Sequence, residues 1–270
     1  MTFRTIVGID YSGAGHCCAG LSGLRVYSLQ GSASSVKEVR PELDARKHWS
    51  RQSLAFWLAE VLANNKNGPV LIGIDHALSF PAEYFALHGV PLNWHSFLEH
   101  FCKYWPTDQR DHTVKSVFES LKSEFGTPHG NARWRRLAEQ KSKGAKSVFH
   151  FGVPGAVASS THAGIPWIQY LRNHPKISGQ MHFWPFDGWI PKVGCSVIAE
   201  VYPSLWSKRW ERKTPTQDQH DAFAIVEALS EAQLTGELSQ MFDPEHWSQV
   251  HLNDYEKMLA RVEGWILGLK

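Results

Sequence analysis

The sequence predicts an α/β fold: a five-stranded mixed sheet, its first three strands antiparallel, flanked by helices. Three observations carry this. The runs Ile6–Ile9, Val70–Ile74 and Ser196–Ala199 are short and mostly apolar, and each ends in a carboxylate: Asp10, Asp75 and Glu200. Such runs suit strands buried on both faces. Segments with helical spacing lie between and after them. A chain of 270 residues with 43% hydrophobic residues also has ample material for a core.

Residues 3–10 form the first expected strand, and Tyr11–Gly15 a turn. Two further strands are expected near 16–21 and 24–30, joined at Ser22-Gly23, which makes a meander. Residues 31–48 are polar and unpatterned. Leu54, Trp57, Leu58, Val61 and Leu62 recur at i, i+3, i+4, i+7 and i+8, so a helix is expected from about Ser50 to Asn65. The fourth strand follows at 69–75. An insertion at about 84–190 is mostly helical in pattern. It contains a stripe of Val114, Val117, Phe118, Leu121 and Phe125, ended by Gly126-Thr127-Pro128. A helix is expected to begin near Ile165-Pro166, because proline suits a first turn. The fifth strand is 195–202, and a helix covers 217–234. A last helix is capped by Asn253, with Tyr255, Met258, Leu259, Val262 and Ile266 as its apolar stripe. No repeat or linker divides the chain, so residues 1–270 read as one domain.

Composition narrows the class. A net charge of +2 is too mild to imply nucleic acid by itself. The four cysteines, Cys17, Cys18, Cys102 and Cys195, show no zinc spacing. They read as free thiols, the usage of a reducing cytoplasm. No secretory signal and no membrane span are expected. The twelve tryptophans include loop residues such as Trp184 and Trp189, which suit packing of irregular segments or stacking on bases.

The strand-end acids carry the chemistry. Strand ends are where open α/β sheets place their sites. Glu200 is notable because Glu is disfavoured in strands. Asp218 and Asp221, three apart on a helix, share one face. Acids in a first helical turn also complement the helix dipole, but Asp221 abuts the apolar face of Ala222, Ile225, Val226 and Leu229. Clustered carboxylates repel unless they are protonated or hold a cation. Hard oxygen donors suit Mg²⁺ or Mn²⁺. Two-metal phosphoryl chemistry uses three or four of them.

The order of these elements resembles the RNase H-like superfamily, especially its Holliday-junction-resolvase branch. Within it the chain resembles a family of predicted RNase H-like nucleases. The resemblance rests on Gly8-Ile9-Asp10-Tyr11-Ser12-Gly13-Ala14, Ile74-Asp75-His76-Ala77-Leu78-Ser79-Phe80-Pro81, Trp184-Pro185-Phe186, Ala199-Glu200-Val201-Tyr202-Pro203-Ser204, His220-Asp221-Ala222 and Glu263-Gly264-Trp265-Ile266. It implies a metal-dependent nuclease hydrolysing nucleic acid. Asp10, Asp75, Glu200 and Asp221 would be the catalytic metal carboxylates, and Asp218 a further ligand or a substitute for Asp221. The resolvase branch usually carries Glu at the end of the fourth strand. Here that place holds the shorter Asp75, with Glu200 one strand later, so either could be the central acid. That branch also suggests a homodimer.

Other groups suit a phosphate backbone. Arg133, Arg135 and Arg136, followed by Lys141, Lys143 and Lys146, make a basic run that could bind phosphates or form a solvated face. The small-residue loop from Gly152 to Gly164 precedes a helix and resembles the glycine- and serine-rich loop of that nuclease family. Its Ser159, Ser160 and Thr161 could line an anion site or cap the helix. Ser12 and His220 adjoin proposed acids, Ser12 as a phosphate donor and His220 as a proton relay. Two rivals stand beside the nuclease. One is an ATP-using enzyme of the actin and sugar-kinase type, for which Gly8–Gly13 would be a phosphate loop. The other is a non-catalytic nucleic-acid-binding protein of the same fold.

Overall fold

A computed structural model gives the fold; it describes residues 1–31, 35–41, 47–64, 68–123 and 129–270, with the backbone alone at 122–123. The sheet has six strands: β1 (Thr5–Asp10), β2 (Arg25–Gln30), β3 (Lys37–Glu38), β4 (Val70–Ile74), β5 (Met181–Trp184) and β6 (Ser196–Glu200). Their order is β3-β2-β1-β4-β6-β5. The β1–β2 and β2–β3 pairs are antiparallel, and β1–β4, β4–β6 and β6–β5 are parallel.

Strand alternation divides the core into two layers. Ile6, Leu71, Val197 and Ala199 pack on the apolar face of α7 (Gln217–Thr235), formed by Ala222, Ile225, Val226 and Leu229. Val7, Ile9, Ile72, Ile74 and Ile198 face the other way. There they meet Leu54 and Leu58 of α1 (Arg51–Ala63). The insertion adds α2 (Ala82–His88), α3 (Trp94–Tyr104), α4 (Val114–Ser123), α5 (Leu137–Lys141) and α6 (Ala158–Asn173). After α7 come α8 (Glu237–Met241) and α9 (Asp254–Glu263). Among the described residues no helix is long and apolar enough to cross a membrane.

The mixed α/β sheet flanked by helices is as the sequence implies, but it has six strands rather than five. The additional strand, β5, lies within the insertion read as helical. The expected strand at 16–21 is absent; that segment folds as turns, with one isolated bridge from His16 to Thr113. Its backbone is held by a side chain instead. The Arg51 guanidinium donates to the carbonyls of Ser12 (3.2 Å), Ala14 (2.7 Å) and Gly15 (3.0 Å), and Gly15 sits at φ 57°. The third antiparallel strand is β3, whose two residues are too short to show a pattern.

Helix α1 begins as expected, with Ser50 Oγ accepting from the Ser53 N–H at 3.1 Å. Asn65, expected as its end, lies outside the described residues, as do Phe125 and 126–128 beyond α4. Helix α6 starts at Ala158, not near Ile165, so Pro166 falls inside it. Proline removes the N–H that would bond the carbonyl of His162. The Thr107 hydroxyl supplies that missing donor, at 2.7 Å from the His162 oxygen. On α9 the expected stripe holds only in part: Val262 and, just past the helix, Ile266 are buried, but Tyr255 and Met258 are 64% and 45% exposed, and Ala260 and Glu263 are buried as well. Glu263 anchors that orientation by accepting the N–H groups of Ala82 (2.6 Å) and Leu137 (2.7 Å).

Candidate metal centre at the strand ends

Gly8 of β1 and Gly73 of β4 stand opposite each other in register. A Cβ on Gly8 would lie 2.5 Å from the Ala222 carbonyl oxygen, and one on Gly73 would lie 2.8 Å from the Ile225 side chain. The paired glycines therefore form a trough in which α7 lies against the sheet. Thr216 caps this helix, its hydroxyl accepting from Gln219 N–H at 3.2 Å. The N-terminal part of α7, with Asp218 in its first turn and Asp221 just after, is thereby carried over the C-terminal ends of β1 and β4.

Asp10 and Asp75 share that face. Register aligns Ile9 with Ile74, so the residues that follow both point towards α7. Burial first, and then the negative charges of Asp75, Asp218 and Asp221, raise the Asp10 pKa well above the usual carboxylate range; Arg25 works against this. Arg25 itself is paired with Glu38 at 3.2 Å. Burial, followed by Asp221 and Glu200, pushes the Asp75 carboxyl up to about 8. Burial also raises Asp221, whose Oδ1 accepts from Gln217 Nε2 at 2.9 Å. All four aspartates keep partial contact with solvent.

Glu200 does not join this row. It aligns with Ile74, one residue short of Asp75. That single step turns it to the opposite face, the side of Ile198 rather than of Ala199. There Arg136 donates to both of its oxygens, Nη1 to Oε2 and Nη2 to Oε1, each at 2.7 Å. Arg136 Nε also donates to Glu139 Oε1 at 2.8 Å. Burial alone would lower the Arg136 pKa, but the two carboxylates raise it above its ordinary value. The arginine is 1% exposed, so it braces this corner rather than facing a phosphate. The same group includes Glu263, whose carboxyl burial pushes up to about 7.

The remaining candidate residues are dispersed. Ser12 is half-buried, and its Oγ and Asp218 Oδ2 both border Gly23, 3.6 and 3.5 Å from where a Cβ on that glycine would sit. Arg133 is exposed, and Arg135 donates to the carbonyls of Ala145 (2.9 Å) and Glu139. Ser159 is exposed at the start of α6, packed so closely that a Cβ on Gly13 would meet its carbonyl at 2.2 Å. Ser160 donates to the Val157 carbonyl at 3.0 Å. Thr161 accepts the N–H of Ala77 at 3.1 Å, fixing the loop after Asp75. His220 is buried, with Nε2 against the Ser207 carbonyl at 2.8 Å. Arg51 and Glu263 contribute to the site's framing without a catalytic motif of their own. Glu263 was visible only as part of Glu263-Gly264-Trp265-Ile266, and Arg51 as one charge at the start of a helix.

Among the described residues no group of three or more His, Cys, Asp or Glu is placed so that it could hold a metal ion. Electrostatic coupling reaches further than coordination. Asp10, Asp75 and Asp221 are all raised, each in part by the negative charge of other aspartates of the row. Their donor atoms are all carboxylate oxygens, which fits a hard divalent cation better than zinc. Comparison with protein-family models, curated proteins and solved structures gave no match.

Proposed function

We propose that this chain is a divalent-metal-dependent nuclease with an RNase H-like core. The observation that supports the reading is that Asp10 and Asp75, from neighbouring parallel strands, lie on the face covered by the helix that carries Asp218 and Asp221, whose charges act on Asp10. Three antiparallel strands followed by parallel ones agree with that core, β5 being an addition at its edge. Asp10, Asp75 and Asp221 would hold the ion, with Asp218 beside them. When bound, Mg²⁺ or Mn²⁺ would activate water and stabilise the leaving oxygen of a phosphodiester. The protein's part is to hold the carboxylates on rigid strand ends and to offer Ser12 and the start of α6 to the phosphate. Glu200 has a structural role in this reading, because its oxygens are engaged by Arg136.

Purified protein should cleave DNA or RNA oligonucleotides with Mn²⁺ or Mg²⁺, and Asp10→Asn should remove the activity. Absence of cleavage together with absence of divalent-ion binding in calorimetry would sink the proposal. The Glu200–Arg136 pairing favours one alternative, a nucleic-acid-binding protein without catalysis. Oligonucleotide binding that is unchanged in Asp10→Asn and needs no divalent ion would select it.

A further inference from the structure

Behind the acid row, on the opposite face of the sheet, lies a small chamber of about 10 Å³. Tyr11, Arg51, His76 and Trp167 line it, with Gly164 and aliphatic side chains completing the wall. Each of these four carries one buried polar atom without a partner: Tyr11 Oη, Arg51 Nε, His76 Nε2 and Trp167 Nε1. Arg51 is 0% and His76 1% exposed. Four orphaned polar atoms around one small chamber are improbable as independent defects, since buried polar groups almost always find a partner.

Their hydrogen-bonding chemistry is complementary. Arg51 Nε and Trp167 Nε1 can only donate. His76 Nδ1 faces the Ala77 carbonyl at 2.8 Å, so it bears the ring proton and Nε2 presents a lone pair. The Tyr11 hydroxyl can give or accept. We propose that the chamber is a binding site for one water molecule. The water accepts from Arg51 and Trp167 and donates to His76 and Tyr11. The volume matches the minimum that a water needs, and two to four polar partners is what a buried water requires. The lone pair of His76 opposes an anion, although Arg51 has no carboxylate partner among the described residues.

The position gives this water a role. Tyr11 and His76 directly follow Asp10 and Asp75, and Arg51 holds the carbonyls of Ser12, Ala14 and Gly15. The water therefore joins the ends of both acid-bearing strands to α1 and α6. This inference does not depend on the nuclease reading.

The test is a crystal structure at a resolution that shows ordered water, with a second crystal soaked in bromide. One peak within hydrogen-bond distance of at least three of the four atoms, with no anomalous bromide signal, is the expected result. A dry chamber or a bromide peak overturns the proposal. In solution, the Trp167 indole N–H should show cross-relaxation with a long-lived water. Tyr11→Phe should shorten that residence about tenfold through loss of one hydrogen bond. An unchanged residence would count against the site.

Discussion

Arg136 holds both oxygens of Glu200 at 2.7 Å, in a corner where each residue is almost fully buried. Such a pair is costly to break from one side, because the abandoned charge stays in the interior. Arg136→Met should therefore lower unfolding stability by about 3–5 kcal/mol. Arg136→Lys should recover only part of it, since an ammonium cannot span two oxygens. Urea denaturation of both variants, with the Glu200→Gln and double variants, measures the coupling.

The aspartate row should make the metal-free protein less stable as pH rises. Asp75 titrates near 8 in the folded state against an ordinary value of 3.8. Between those values the folded state binds more protons than the unfolded, so stability falls with increasing pH. Asp75→Asn should flatten this slope. It should stabilise the chelator-treated protein at pH 8 by on the order of 2 kcal/mol, allowing for the solvent that reaches Asp75. Thermal melts from pH 4 to about 8.5 check the sign.

A divalent ion should reverse the same penalty. At a concentration one hundred times its Kd, Mn²⁺ should add about 2.7 kcal/mol to stability at pH 8. It should add far less at pH 5, where protons compete for the carboxylates. Asp10→Asn should abolish the shift. Melting curves with and without Mn²⁺ supply the readout.

Much of this was legible in the sequence. Strands β1, β4 and β6, helices α1 and α7, and the cap at Asn253 followed from apolar runs, helical spacing and a capping residue. The face on which each strand-end acid falls was not. Glu200 and Asp75 both end apolar runs, and only the pairing of Glu200 with Ile74 reveals the one-residue offset. Nor was β3 visible, because two residues carry no period. Pro166 read as a helix start because its remedy, Thr107, lies far away in the chain.

That remedy is testable. Thr107→Val keeps the shape and deletes the hydroxyl that serves the His162 carbonyl. The loss should be about 1–3 kcal/mol, the penalty of an unpaired buried acceptor. Thr107→Ser should retain most of the stability. Chemical denaturation distinguishes them.

Helix α7 should tolerate nothing larger than glycine at positions 8 and 73. Gly8→Ala places a methyl 2.5 Å from the Ala222 carbonyl, so the helix must move. A stability loss of about 1–3 kcal/mol is expected from overpacking. Weaker Mn²⁺ binding should accompany it in calorimetry, since Asp218 and Asp221 ride on that helix.

The paired glycines at 8 and 73 also bear on side-chain length. A helix resting on bare backbone sits low over the strand ends, so the gap from its first turn to the sheet is short. Aspartate spans that gap with one methylene, whereas a glutamate would have to fold back on itself. The shorter acid at 10, 75, 218 and 221 suits this close approach of the two layers, whereas Glu200, turned to the other face by its register, has the length to reach Arg136 there.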